Sequence, residues 1–237
     1  MRRPFALLIV MSFAAAAVPA RAQQSATPLP RQDIVFVVDN SLSMEQQPMP
    51  SDPLRLRGVA ASLVLDAAEL SSDVQAGLVV FSGDISVEHK LSVPDEIRHL
   101  LQPGHLPPAG GGTNMYAALQ VALSMFGGST ATWKRIVLIT DGVPDGDQAH
   151  TIVSELVPLA QRSGIRIFAL GVSKQIDQRF LDLVTLPTGG KTLVSEHHQT
   201  LLRRAKELMG NQDNVSVVAE PALSSDQREY QFTIRPG

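Results

Sequence analysis

The chain has 237 residues, of which 44% are hydrophobic and 5% aromatic, and its formal net charge is −3. This length is enough for one well-filled globular domain with a short appended element, and a core that is aliphatic rather than aromatic is typical of a buried parallel sheet. The mild negative charge gives no reason to expect nucleic acid or an anionic membrane as a partner, and the absence of cysteine excludes disulfides, zinc–thiolate sites and a cysteine nucleophile.

The first 22 residues predict a secretory signal peptide. They begin with two arginines, continue through an apolar run from Phe5 to Val18, and end in Ala20-Arg21-Ala22, a small-x-small cleavage site. A membrane anchor is the alternative, but the apolar run has about 14 residues, whereas a spanning helix needs about 20. We expect cleavage after Ala22. Because the segment holds three of the 20 basic residues and none of the 23 acidic ones, the mature chain has a net charge of −6 and no membrane span.

An exported protein without disulfides suits a bacterial envelope, so we expect this one in the periplasm, at the cell surface or outside the cell. Residues 23–32 are polar, contain proline and predict a short linker. From residue 33 onward, strand-like and helix-like segments alternate. Apolar or alternating runs predict strands at 34–38, 74–82, 85–91, 134–140, 165–172 and 191–194. Helical spacing of apolar residues predicts helices at 54–72, 113–126, 148–164, 177–184 and 198–209.

This alternation predicts an α/β fold with a doubly wound, mostly parallel sheet and helices on both faces. The segment ISVEHKL at 85–91 alternates apolar with polar residues, which is typical of a half-exposed edge strand. Asp52-Pro53 is a start signal for the helix at 54–72. Within the helical segment at 148–164, Pro158 predicts a kink or a new turn, because proline cannot donate the backbone hydrogen bond.

The sequence changes character after Gly210. Two β-like runs, at 214–219 and 229–235, flank a polar turn with no helix between them. We therefore assign residues 33–210 to the main domain and residues 211–237 to a β-rich C-terminal extension.

The loop after the first predicted strand, in the sequence DNSLSM, carries oxygen-bearing side chains at steps of two: Asp39, Ser41 and Ser43. Alternate residues of an extended loop can turn the same way, and ligands of open parallel sheets bind at the carboxyl ends of the strands. Two further loops supply Thr113, after three glycines, and Asp141, directly after an apolar run. Two carboxylates and three hydroxyls form an oxygen set of charge −2 that suits Mg²⁺. The alternative is that these side chains cap helices and satisfy turns.

The motifs DNSLSM, GGTN and ITDG together resemble the metal-ion-dependent adhesion site of von Willebrand factor type A domains. The resemblance covers residues 33–210 and implies a doubly wound sheet with one antiparallel edge strand, for which 85–91 is the candidate. It implies hydroxyl groups that bind the metal directly in some states, namely those of Ser41, Ser43 and Thr113. It also implies carboxylates that often act through water, namely those of Asp39 and Asp141. In this family a protein partner commonly supplies an acidic residue to the cation.

From these observations we expect an exported module that binds a divalent cation, Mg²⁺ or alternatively Mn²⁺ or Ca²⁺, and uses it for metal-dependent protein–protein interaction or adhesion. One alternative is a structural or regulatory part of a larger envelope assembly, joined through the C-terminal β segment. A metal-activated hydrolase is the third alternative, but no base, nucleophile or second-metal cluster supports it. We therefore do not expect an enzyme.

The sequence departs from the family's shortest versions between Met44 and Gly58. This stretch is long and proline-rich, and it resembles a bacterial subset that has Asp-Pro before the helix. We hypothesise that Glu45 to Ser51 overhangs the metal and filters the ligands that approach it.

Other motifs favour ordinary structural roles. Asp145 and Asp147 lack the remaining spacing and the glutamate of an EF-hand, so a solvated turn is predicted. The GGKT segment at 189–192 resembles the end of a phosphate-binding loop, but Thr185 stands where that loop requires glycine. We therefore expect no nucleotide. The histidines show no ligand spacing, and neither H-E-x-x-H nor G-x-S-x-G occurs.

Overall fold

The structure is a computed structural model that describes residues 29–46, 48, 50–173 and 176–209, together with the backbone of two short strands at 216–218 and 233–235. The predicted signal peptide at 1–22 and most of the predicted linker lie outside the described residues. Their assignment therefore stays a prediction.

The main sheet contains six strands of the described chain. They are β1 (Arg31–Asp39), β2 (Asp73–Phe81), β3 (Ile85–Ser92), β4 (Trp133–Thr140), β5 (Ile165–Gly171) and β6 (Thr192–Val194). Their spatial order is β3-β2-β1-β4-β5-β6, and every neighbouring pair is parallel except β2 and β3. The predicted fold class is confirmed, and the segment at 85–91 is the antiparallel edge.

Helices cover both faces of this sheet. Those with α-helical geometry are α1 (Leu42–Glu45), α2 (Leu56–Glu69), α3 (Pro94–Leu100), α4 (Met115–Ser124), α5 (Gln148–Thr151), α6 (Val157–Arg162), α7 (Gln178–Thr185) and α8 (His198–Met209). A π-helical turn (Ile152–Leu156) joins α5 to α6, and a 3-10 turn (Leu186–Thr188) follows α7. None of these helices is long and apolar enough to cross a membrane.

The central strand β1 contributes to two separate cores. Ile34, Phe36 and Val38 are fully buried against α2 and α8, whereas Val35 and Val37 are fully buried on the opposite face against the side that carries α4 and α6. Because both faces are covered, the strand is apolar at every one of these positions rather than at alternate ones.

Two predicted helix signals act as expected. The Asp52 carboxylate accepts hydrogen bonds from the backbone N–H groups of Leu56 and Arg57, at 2.7 and 2.9 Å, and so satisfies the first turn of α2. Pro158 lies in the first turn of α6, directly after the π-helical turn. Because proline has no N–H and crowds the preceding turn, the regular hydrogen-bond pattern is interrupted there.

The sequence analysis missed the helix α3, although its sequence PDEIRHL carries helix signals. Pro94 stands in the first turn with the acidic Asp95 and Glu96, and the basic Arg98 and His99 stand in the last turn. Each of these placements complements the helix dipole or the unpaired N–H groups of the first turn.

The C-terminal segment contributes a separate two-stranded antiparallel sheet. Its strands are β7 (Ser216–Val218) and β8 (Thr233–Arg235), and they lie within the runs predicted at 214–219 and 229–235. The structure describes only the backbone of these strands.

The strand order reverses between β1 and β4, at the centre of the sheet. The chain leaves β1, runs outward through β2 and β3, and returns on the other side of β1 as β4. In open α/β sheets such a reversal opens a crevice at the carboxyl ends of the strands, where ligands bind. Asp39 ends β1 and Asp141 directly follows β4, so two of the predicted ligands border this crevice.

Candidate functional site

Four of the five predicted ligands form one continuous chain of hydrogen bonds across the crevice. The Asp39 carboxylate accepts a hydrogen bond from the Ser41 backbone N–H at 2.9 Å. The hydroxyls of Ser41 and Ser43 are 2.9 Å apart, and the Ser43 hydroxyl donates to Asp141 Oδ1 at 3.0 Å. The second carboxylate oxygen of Asp39 accepts from the Thr140 hydroxyl at 2.6 Å. Side-chain oxygens thus join the end of β1 and its loop to the end of β4 and its loop.

The loop after β1 is not extended, contrary to our expectation. Ser41 has extended backbone angles, φ −68° and ψ 160°, but the next four residues form the single helical turn α1. Met44, within this turn, is fully buried. The hydroxyls of Ser41 and Ser43 are nevertheless 2.9 Å apart, because the backbone turns into α1 directly after Ser41.

The fifth predicted ligand, Thr113, lies beside this chain of hydrogen bonds. Its backbone N–H donates to Asp145 Oδ2 at 2.6 Å, and the Asp145 N–H donates to the Thr113 carbonyl oxygen at 3.1 Å. Its hydroxyl oxygen lies 4.0 Å from the position that a Cβ on Gly142 would occupy, next to the loop after β4. The cap of α4 is Asn114, whose side chain accepts from the Ala117 N–H, so Thr113 does not cap this helix.

The glycines before Thr113 allow their loop to approach the loop after β1. The Leu42 N–H donates to the Gly110 carbonyl oxygen at 2.8 Å, and the Gly110 N–H donates to the Asn40 carbonyl oxygen at 3.0 Å. A Cβ at Gly110 would lie 2.4 Å from the Ser82 hydroxyl, and Gly112 has a φ of 80°, so both positions favour glycine. Three loops therefore meet at one rim of the sheet.

Burial dominates the electrostatics of the two carboxylates. Asp39 is fully buried, and burial raises its pKa to about 6, although hydrogen bonds from Thr140 and Ser41 oppose this rise. Asp141 is 7% exposed, and burial raises its pKa too, against hydrogen bonds from Ser51 and Ser43 that lower it. Each carboxylate has lost much of the water that stabilises its charged form.

These residues fit a small divalent cation. Hard cations such as Mg²⁺ prefer carboxylate and hydroxyl oxygens, and the rim combines two buried carboxylates with three hydroxyl side chains. A cation bound here would offset the burial of both negative charges and provide an electrophilic centre for an oxygen from another molecule. In the parts of the chain that the structure describes, no cluster of three acidic or histidine side chains offers a metal site of a different kind.

The sequence analysis missed three residues that contact the predicted ligands. Thr140 and Ser51 donate hydrogen bonds to the two carboxylates, and Asp145 holds the backbone of Thr113. Asp145 is exposed in a turn, as predicted, but it also has this structural task. Its place four residues after Asp141 was the available signal.

Ser51, the last residue of the segment from Glu45 to Ser51, lies against the rim. The Ser51 N–H donates to the Ser43 carbonyl oxygen at 3.2 Å, and the next residue, Asp52, donates its N–H to the Met44 carbonyl oxygen at 2.9 Å. Residues 47 and 49 lie outside the described chain. These bonds hold Ser51 beside Ser43, and the overhanging, filtering role of the segment stays a hypothesis.

The GGKT segment has a packing role. A Cβ at Gly190 would lie 1.9 Å from the Ile167 carbonyl oxygen, so the second glycine permits close approach to β5. The Lys191 ammonium donates to the Glu207 carbonyl oxygen of α8 at 2.8 Å. Gly190 and Lys191 therefore have structural roles that do not involve a phosphate.

A surface cavity of about 500 Å³ lies at the opposite end of β1 from the rim, and its lining includes Arg31, Asp33 and Gln75. It contains none of the five predicted ligands. The crevice at the carboxyl ends of β1 and β4, where the predicted ligands meet, is therefore the candidate site.

Comparison with known proteins identifies a family and a fold. The family model of the von Willebrand factor type A domain matches residues 33–203. The chain is 25% identical over 214 residues to inter alpha-trypsin inhibitor heavy chain 4 from Mus musculus, covering 86% of this chain and 21% of that protein. It is 27% identical over 154 residues to matrilin-3 from Homo sapiens, covering 60% of this chain and 29% of that protein.

Solved structures share the fold at low sequence identity. The pilus adhesin SpaC from Lactobacillus rhamnosus GG superimposes with a TM-score of 0.60 at 20% identity, covering 80% of this chain and 31% of that chain. A von Willebrand factor type A structure from Catenulispora acidiphila gives a TM-score of 0.58 at 17% identity, covering 80% and 44%. The PilB minor pilin from Streptococcus sanguinis gives a TM-score of 0.59 at 17% identity, covering 76% and 61%. The chain spans less than a third of the length of inter alpha-trypsin inhibitor heavy chain 4 and of matrilin-3.

Proposed function

The chain belongs to the von Willebrand factor type A family, and from this premise we propose that its rim binds a divalent cation, Mg²⁺ in the first place, and uses the cation to bind a protein partner. The observation that carries the proposal is the chain of hydrogen bonds that joins Asp39, Ser41, Ser43 and Asp141 across two loops. Four oxygen-bearing side chains from distant parts of the sequence meet at the position where an open α/β sheet binds its ligands.

The oxygen set also indicates how a partner would be held. Hydroxyls are neutral, so a cation held mainly by Ser41, Ser43 and Thr113 would keep most of its positive charge. Such a cation would attract an additional oxygen, and a carboxylate is the strongest oxygen ligand that a protein can offer. We therefore infer that the partner presents an acidic side chain. Mn²⁺ and Ca²⁺ are the alternative ions.

We assign binding rather than catalysis to this site. The hydrogen-bond partners of the two carboxylates are serine and threonine hydroxyls and a backbone N–H, all of which hold the carboxylates in place. None of these groups is a histidine or lysine base, and without an adjacent base a serine or threonine hydroxyl is a weak nucleophile.

We further propose that the chain is exported and acts in adhesion or a related protein interaction. Its predicted signal peptide at 1–22 is the evidence within the chain. Two solved structures of the same fold are named as a pilus adhesin and a minor pilin. Periplasm and cell surface are both consistent with the proposal.

A second candidate function rests on β7 and β8. They form a two-stranded sheet of three residues per strand, apart from the main sheet. Isolated two-stranded sheets are marginal in water. This sheet would be stabilised by pairing with a further strand, which suits a structural or regulatory part of a larger envelope assembly. A solution mass that shows a monomer, with amide protons of both strands protected from exchange, would argue against this second function.

Cation binding is the first test of the proposed function. Titration of the purified chain with Mn²⁺, followed by electron paramagnetic resonance of the free ion, is expected to show one site, and Asp39→Ala is expected to abolish it. Asp147→Ala is the matched control, because Asp147 is an exposed carboxylate on the loop after β4 whose side chain does not cap the following helix. Circular dichroism checks that each variant is folded.

Partner binding is the second test. The wild-type chain is expected to capture an envelope protein in Mg²⁺ and to release that protein in EDTA. Asp39→Ala is expected to capture no such protein under either condition. A folded Asp39→Ala protein that still binds Mn²⁺ and the partner like the wild type would refute the proposal.

A further inference from the structure

Arg57, in the first turn of α2, is a fully buried arginine that contacts three separate segments. Its Nη1 donates to Asp52 Oδ2 at 3.0 Å, and its Nη2 donates to Asn40 Oδ1 at 2.5 Å and to Glu45 Oε1. The side chains of Arg57 and Asp52 are 0% exposed, and that of Glu45 is 13% exposed. A single guanidinium group therefore bonds to three points along the connection between β1 and α2.

Each partner of Arg57 is close in sequence to a candidate cation ligand. Asn40 lies between the first two ligands of the loop after β1, and Glu45 lies two residues after the last of them. Asp52 directly follows Ser51, whose hydroxyl is hydrogen-bonded to the carboxylate of Asp141. A change in the position of the guanidinium would therefore be transmitted to both loops that supply ligands.

A second arginine extends the network to the loop that precedes Thr113. The Nη2 of Arg55 donates to Glu45 Oε2 at 2.8 Å, and its Nη1 donates to the carbonyl oxygens of Leu106 and Pro103 at 2.9 and 3.2 Å. The side-chain amide of Asn40 donates to two further carbonyl oxygens of this loop at 3.0 and 3.1 Å. All three loops of the rim are thus connected behind the candidate ligands.

The backbone of Arg55 is held in a strained conformation. Its φ of 54° and ψ of 34° lie in the left-handed region, and it is the one residue other than glycine with positive φ among those the structure describes. Such a conformation costs about 1–3 kcal/mol and persists only where the surroundings impose it. The bonds to Glu45, Pro103 and Leu106 are what impose it here.

Stability alone is a weak explanation for this network. Transferring an arginine and its carboxylate partners from water to the interior costs about as much as their mutual attraction returns, and apolar residues of similar size often serve as well. What the network does provide is fixed spacing between segments, because a planar guanidinium bonds to its partners in a rigid geometry. Cation sites need such fixed spacing, since a ligand set that must be ordered on binding loses affinity.

We propose that Arg57 is a positioning residue of the cation site, which holds the loops after β1 and β4 at the spacing the cation requires before the cation arrives. The inference rests on the proposed function, because it assumes that the rim binds a cation. Arg57 acts through Asn40, Glu45 and Asp52, and touches neither the cation nor the partner.

The test compares Mn²⁺ affinity with stability in three variants. Arg57→Met removes the guanidinium and keeps the apolar part of the side chain. Glu45→Gln keeps the size of its side chain and weakens only the contacts of Glu45 with Arg57 and Arg55, so we expect it to stay folded even if Arg57→Met does not. Arg98→Met is the matched control, because Arg98 also contacts three side chains, the carboxylates of Asp66, Glu69 and Asp95, on the surface between α2 and α3.

We expect the Mn²⁺ dissociation constant to rise about tenfold in Arg57→Met and Glu45→Gln, as is typical when partners behind the ligands are lost, and to stay unchanged in Arg98→Met. The urea midpoint measured in EDTA shows whether each variant is folded before cation is added. A purely structural role would lower this midpoint and leave the affinity of the remaining folded protein unchanged.

The outcomes separate this inference from the proposed function. If the wild type binds Mn²⁺ and Glu45→Gln binds it equally well, Arg57 and its network do not position the site. The same conclusion follows if the Arg98→Met control loses as much affinity as the other variants. If the wild type itself does not bind Mn²⁺, the proposed function fails and this inference fails with it.

Discussion

Replacing Asp39 by asparagine separates the cost of burying a charge from the benefit of binding a cation. Asp39 is fully buried, and burial raises its pKa from 3.8 to about 6 in the cation-free protein. Asparagine can keep both hydrogen bonds of the aspartate. Its oxygen can accept from the Ser41 N–H, and its amide can donate to the Thr140 hydroxyl, because a hydroxyl is both donor and acceptor.

The expected magnitude follows from the pKa. A rise of about 2 units corresponds to about 3 kcal/mol. The folded state binds the proton of Asp39 more tightly than the unfolded state does. The wild type therefore loses this part of its free energy of unfolding as the pH rises from about 4 to about 6, and it does not regain it at higher pH. We therefore expect Asp39→Asn to be more stable than the wild type by up to about 3 kcal/mol at about pH 7.5 in EDTA, and equally stable below about pH 4.

Urea unfolding followed by the fluorescence of the single tryptophan, Trp133, measures this difference. Adding Mg²⁺ is expected to stabilise the wild type and to leave Asp39→Asn unchanged, since only a protein that binds the ion in its folded state gains from it. Asp147→Asn, an exposed control, is expected to lie within about 0.5 kcal/mol of the wild type. An Asp39→Asn protein that is less stable than the wild type at about pH 7.5 in EDTA, or a difference that persists at acidic pH, would refute this reasoning.

Three further predictions test other parts of the structure. Gln32 is fully buried, and neither atom of its amide has a hydrogen-bond partner, so Gln32→Met is expected to raise the free energy of unfolding by about 1–3 kcal/mol; an unchanged urea midpoint would show that the amide finds a partner in solution. Gly190→Ala places a Cβ 1.9 Å from a backbone carbonyl oxygen of β5 and is expected to cost about 3 kcal/mol, whereas Gly104→Ala, with no atom within 4 Å, should unfold like the wild type in the same assay. Asp145→Ala removes the 2.6 Å hydrogen bond to the Thr113 N–H and is expected to weaken Mn²⁺ binding about tenfold in the titration; equal affinity would exclude a role for this bond in the site.

The candidate ligands could be found in the sequence because each stands next to a strong local signal. Asp39 and Asp141 follow strands whose continuous apolar runs predict burial on both faces, and Thr113 follows three glycines. In a parallel sheet, the ends of such strands share one edge whatever the details of packing. The approximate meeting of the loops after β1 and β4 therefore follows from the parallel sheet, whereas the loop of Thr113 lies between α3 and α4 and meets them through the tertiary contacts of Gly110.

The residues behind the ligands could not be found in this way. Arg57 looks like any helix residue in the sequence, and its burial against Asn40, Glu45 and Asp52 depends on how α2 packs against the loop after β1. The helical turn α1 was also missed. It has only four residues, and Met44 within it is fully buried.

By itself, the sequence determined the fold class, the antiparallel edge at 85–91, and the loops from which the candidate ligands come. Hydrophobic periodicity and glycine placement are local properties that a sequence shows directly, whereas the antiparallel direction of the edge strand was implied by the family resemblance. Only the tertiary structure decided which hydroxyl bonds to which carboxylate, how far burial raises the pKa of Asp39, and that Arg57 joins the loops of the rim. These depend on distances of a few ångströms between segments separated by up to about a hundred residues, and only close packing sets such distances.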